Sequence, residues 1–60
     1  MTSKEVIRRL GQDGWVQVSR KGSHCTFKKR GFALLITIPH PRKELGKSLI
    51  RAIERAAGWL

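Results

Sequence analysis

The sequence predicts an α+β fold in which two helices cover one face of a three-stranded antiparallel sheet, in the order α-β-β-β-α. Three observations carry this. Apolar residues at helical spacing occur at the two ends of the chain, period-two alternation fills the middle, and Gly-containing turn signals separate the alternating segments. Three short strands with one apolar face need that face covered, and two amphipathic helices on it complete a two-layer sandwich. The other face of the sheet is left to solvent or to a partner.

The first helix starts near Ser3, because Thr2 and Glu5 have the S/T-x-x-E spacing of a capping box. Val6, Ile7 and Leu10 form its apolar stripe, while Arg8, Arg9 and Gln12 face away. Gly11 weakens the helix, and Asp13-Gly14 reads as its end. The stretch WVQVSRK, residues 15–21, alternates as a strand with Val16 and Val18 on one face. Gly22-Ser23 is a hairpin turn signal. In HCTFKK, residues 24–29, Cys25 and Phe27 point one way and His24, Thr26 and Lys28 the other.

Arg30-Gly31 makes a second turn, and FALLITI, residues 32–38, is the third strand. Phe32, Leu34, Ile36 and Ile38 are expected on its core side, with Leu35 and Thr37 opposite. Pro39-His40-Pro41 is expected to be extended, since a residue before proline is pushed out of the helical region. After the basic loop Arg42-Lys43-Glu44, a second helix runs from about Lys47 to Ala57. Its stripe is Leu49, Ile50, Ile53 and Ala57, with Gly58 as the C-terminal stop.

With 60 residues, the chain is expected to form one domain, residues 1–60, near the lower size limit for unaided folding. Apolar residues make up 40%, enough for one core and too many for a disordered tail. The single cysteine, Cys25, excludes an internal disulfide, and no C-x-x-C pair offers a structural zinc site. Neither a signal h-region nor a membrane-length apolar run is present. A reducing, cytoplasmic setting is the expected one, with no membrane partner.

Charge says more about partners. Thirteen Lys and Arg against four Asp and Glu give a formal net charge of +9, and no acidic residue falls between Gly14 and Lys43. A field of one sign attracts polyanions and speeds their encounter, and nucleic acid is the first candidate. An acidic protein is the second.

Within that basic stretch, strand alternation sends His24 outward if Phe27 is buried. A ribose 2′-OH can attack its neighbouring phosphorus without a cofactor, given a proton acceptor, a proton donor and positive charge near the phosphate oxygens. Histidine, with an ordinary pKa near 6.5, can supply the proton transfers. Arg20, Lys21, Lys28 or Lys29 can supply the charge. Backbone amides at Gly22 and Ser23 can hold a phosphate, with the Ser23 hydroxyl as a further donor and Thr26 beside it on the same face. The plainer reading of His24 is an exposed strand residue or a platform for an unpaired base.

His40, between two prolines, reads as a rigid loop residue, a phosphate contact or a second acid–base group. Cys25 reads as a small core residue, and Trp15 and Trp59 as core or edge packing rather than base stacking.

The whole chain resembles the HicA toxins, the mRNA interferases of HicA–HicB toxin–antitoxin systems. The resemblance is carried by the element order, DGW at 13–15, GSHCTF at 22–27, TIPHP at 37–41 and the closing AAGWL. It implies a fold similar to the double-stranded-RNA-binding domain. It also implies metal-independent cleavage of mRNA, with the family's catalytic histidine falling on His24 and its preceding glycine and serine on Gly22 and Ser23. A HicB-like antitoxin is the implied partner, through which the complex would reach operator DNA. The sequence departs from the family's usual Lys-Gly-Thr order at LGKSL, residues 45–49. Two other functions compete with the resemblance on residue grounds alone. One is a non-catalytic RNA-binding module, and the other a basic structural partner for an acidic protein.

Overall fold

Helix α1 spans Ser3–Gln12 and is followed by strands β1 (Val16–Lys21), β2 (His24–Lys28) and β3 (Ile36–Pro39), and by helix α2 (Lys47–Ala56). These bounds come from a computed structural model that describes residues 1–60. The sheet is antiparallel in the order β1-β2-β3, so β2 is central and the other two strands are edges.

The capping box forms as its spacing requires. Thr2 Oγ1 accepts from the Glu5 amide at 3.1 Å, and Glu5 Oε1 accepts from the Thr2 amide at 2.9 Å. The bond from the Thr2 amide foremost, and then one from the Thr2 hydroxyl at 3.0 Å, hold the Glu5 carboxyl below its ordinary pKa. Val6 and Leu10 then fall on the buried face one turn apart and meet Cys25 and Phe27 of β2, Ile36 and Ile38 of β3, and Ile53 and Ala57. Leu45 also joins this core. The sequence reading left it unassigned between the basic loop and the second helix, because one isolated apolar residue carries no periodicity.

Asp13, just past α1, ties three parts of the chain together. Its Oδ2 accepts from the indole N–H of Trp15 at 3.3 Å and of Trp59 at 2.9 Å, and pairs with Lys29 Nζ at 3.2 Å. The Arg9 guanidinium stacks over the Trp59 ring at 3.9 Å. Both tryptophans therefore serve packing, and Arg9 does more than face solvent.

Two strand expectations are corrected. The alternation expected of β1 is interrupted, because the register against β2 shifts at a bulge between Gln17 and Ser19 that leaves Val18 unpaired. All of β1 is exposed, as an edge strand that the helices do not cover. The third strand begins at Ile36, not Phe32. Extending its register would set Leu34 against Lys29, but Lys29 is turned toward Asp13. The Phe32 amide closes a turn onto the Lys29 carbonyl at 3.1 Å, and its ring packs on Trp15 with centroids 5.2 Å apart. Leu34 is left 69% exposed. Leu35 borders a shallow groove with Leu49, Ala52 and Ala56 of α2 rather than lying on the open face.

Ile53 of α2 and Ala57 at its C-cap are buried, while Leu49 and Ile50 are only half covered. Gly58 stops the helix at φ +76°, a conformation that disfavours a side chain. A Cβ there would also stand 3.4 Å from the Phe32 ring.

Candidate functional site

The site is built on the open face at the β1–β2 hairpin. Gly22 has φ +55° and Ser23 does not share that sign, which is the pattern of a type II′ turn. Such a turn sets Lys21 opposite His24. On the other side, His24 pairs with Pro39 of β3. Side chains of cross-strand partners share a face, about 5 Å apart at Cβ. His24 is thus flanked by a cation on one side and a proline on the other, and it is exposed while Cys25 and Phe27 beside it are buried. The next row of the face is Ser19, Thr26 and Thr37, with the two threonine hydroxyls 3.2 Å apart.

The turn is held from both sides. Arg20 Nε donates to the Gly22 carbonyl at 3.2 Å, bringing a guanidinium onto the turn. The Ser23 carbonyl accepts from the His40 amide at 2.6 Å. The His40 ring is itself fixed, since Ser3 Oγ hydrogen-bonds its Nδ1 at 2.7 Å. The same hydroxyl accepts from the Arg42 amide at 2.8 Å, and the Ser3 amide donates to the Arg42 carbonyl at 2.9 Å. Ser3 is 1% exposed and fully satisfied. Its role has no sequence signal, because a serine in the first helical turn reads as ordinary.

Lys21, Gly22, Ser23 and His24 therefore gather at the hairpin end of the open face, with Thr26 next along it. Arg20 stands opposite the buried Cys25 and reaches the turn through its bond to the Gly22 carbonyl, and the His40 ring is turned to Ser3 of α1. Lys28 points to the same face but lies four residues on, about 13 Å along the strand. Lys29 stands apart, paired with Asp13 and lying 5.1 Å over the Phe32 ring. Beyond His40, an open cleft of about 430 Å³ is bordered by Ser3, Lys4, Pro41, Arg42 and Lys43. The two salt bridges of the chain, Asp13–Lys29 and Glu44 with the N-terminal amine at 3.0 Å, involve none of the cations around the hairpin or the cleft.

The basic open face ends in Gly22-Ser23-His24, with Pro39 of β3 paired to His24 and His40 bonded to Ser23. Residues 3–59 match the family model described as the HicA toxin of bacterial toxin–antitoxin systems. The chain belongs to the HicA toxin family. A solved structure described as the HicA3 and HicB3 toxin–antitoxin complex matches it with a TM-score of 0.86 and 39% sequence identity, over 97% of this chain and 94% of that one. No curated protein sequence matches significantly. As a HicA family member the chain is a toxin of the toxin–antitoxin class, and the α-β-β-β-α fold expected from its sequence is the one it shares with that neighbour. None of its helices is long and apolar enough to cross a membrane.

Proposed function

We propose that this HicA family member is an endoribonuclease that cuts cytoplasmic mRNA by internal transesterification, with His24 as the general acid–base. The observation that supports this reading is the position of His24, exposed at a tight turn, opposite Lys21 and in no salt bridge.

In this mechanism the 2′ oxygen attacks phosphorus while His24 accepts its proton. The P–O5′ bond then breaks, and the departing 5′ oxygen takes up a proton, either from the imidazolium or from a second donor. The products are a 2′,3′-cyclic phosphate and a 5′-OH. Lys21 and Arg20 offset the charge that grows on the non-bridging oxygens, and amides of the Gly22-Ser23 turn add donors there. Every step uses groups of this chain and the RNA alone.

The neighbour's assembly with HicB3 and the net charge of +9 support neutralisation by an acidic, HicB-like antitoxin. A DNA-binding segment of that antitoxin would carry the pair to operator DNA. The test of the reaction is end-group analysis of RNA incubated with the purified toxin in EDTA. Cyclic phosphate and 5′-OH ends are expected. Ends bearing 5′-phosphate would assign attack to water instead, and RNA that is bound but left intact would assign a non-catalytic binding module.

A further inference from the structure

We infer that the cleft beside His40 is a second phosphate subsite, which holds a phosphodiester of the same RNA strand next to the bond cut at His24. This rests on the ribonuclease reading above.

The cleft is concave, about 430 Å³ in volume, and its rim carries Lys4 from α1 and Arg42 and Lys43 from the loop after β3. None of the three side chains forms a salt bridge. The two carboxylates nearest in sequence are already engaged, Glu5 by the amide and hydroxyl of Thr2, which also lines the cleft, and Glu44 by the N-terminal amine. Three cations against one engaged carboxylate, that of Glu5 on Thr2, leave an excess of positive charge around the concavity, which an entering anion offsets. The fold does not need these charges. Ser3 holds this loop through the backbone of Arg42, not through its guanidinium.

One side chain of the lining is already oriented. His40 is fixed through Nδ1 by the buried Ser3 hydroxyl, which leaves Nε2 without a protein partner at the wall of the cleft. A ring held this way loses little freedom when it meets a ligand.

The cleft also adjoins the proposed reaction centre. Pro39 pairs with His24, and the His40 amide bonds the Ser23 carbonyl, so two residues of chain connect the imidazole to the cleft. A strand cut at His24 would cross Pro39, which shares the face of His24, to reach this rim at the next residue of the chain. Carboxylates on a folded protein lack the fixed repeat of phosphates along a strand, and for that reason RNA is the occupant inferred. The opposite direction along β2 offers less, because Lys29 is already paired with Asp13. The strand thus runs over Pro39 and His40 toward the start of α1.

The test uses a single-stranded, fully 2′-O-methylated RNA, which cannot be cut by its own 2′-OH, with binding followed by fluorescence anisotropy across a salt series. A Lys4→Ala/Lys43→Ala double variant is compared with Arg30→Ala/Arg55→Ala, which removes equal charge from positions away from the cleft. Both variants change exposed side chains only. The slope of log K against log salt should fall by about 0.7 for the lost phosphate contact in the first variant and stay near wild type in the second. In cleavage assays the first variant should raise KM for long RNA yet leave the rate on a dinucleoside monophosphate, which has no second phosphate, unchanged. Equal slopes in the two double variants would overturn the subsite and leave the role of His24 standing. Absence of probe binding by the wild type would overturn both.

Discussion

The amide of His40 donates a 2.6 Å hydrogen bond to the carbonyl of Ser23, so the two histidine-bearing segments meet at one end of the sheet. The turn that presents His24 and the loop that carries His40 are parts of one structure, fastened at its far side by Ser3.

Ser3 should matter to stability beyond its size. Replacing it with alanine removes the hydroxyl that accepts from the Arg42 amide and fixes the His40 ring. Leaving such a part-buried amide short of a partner costs up to about 1–3 kcal/mol, a sizeable share of a small domain's stability. Urea unfolding of Ser3→Ala should show an earlier midpoint with an unchanged m-value. A midpoint equal to wild type would show that the network is dispensable.

Gly22 tests the turn. Its φ of +55° disfavours an L-residue even though nothing lies within 4 Å of the site a Cβ would occupy. Gly22→Ala should therefore lose about 1–2 kcal/mol through backbone strain alone. A chemically made chain with D-alanine at the same position should recover that loss, because its mirror-image preference suits positive φ. Equal losses from both alanines would point to a steric cause instead.

How much of this was legible beforehand differs by element. The capping box, the Gly-Ser turn, and the burial of Cys25 and Phe27 follow from local rules, and they sufficed to send His24 outward. Phe32 and Leu34 were misread because alternation cannot show that Phe32 has a better contact on Trp15, or that Lys29 is drawn away to Asp13. Leu45, Ser3 and the cleft were invisible for a related reason. Each depends on residues some forty positions apart meeting in space, as Ser3 and Arg42 do.

Acid should weaken the fold through Asp13. Hydrogen bonds from Trp59 first, then Lys29, hold its carboxyl below the ordinary range, and Glu5 is lowered by its bonds to Thr2. A carboxyl depressed in the folded state contributes stability that is present above its unfolded pKa, about 3.9 for aspartate. That contribution is lost as pH falls through the folded value. Unfolding midpoints should thus drop below about pH 4, and Asp13→Asn should flatten the drop, leaving a smaller one from Glu5. An identical acid profile in Asp13→Asn would remove Asp13 from this role.

The most direct measurement is the rate at which wild-type protein and His24→Ala cut the same single-stranded RNA, with matched unfolding curves to show that both are folded. His24 is exposed, so the variant should keep wild-type stability and RNA affinity while its cleavage rate falls at least a hundredfold, on the order of the usual contribution of a general acid–base. A folded His24→Ala protein that cuts at the wild-type rate would contradict the assignment.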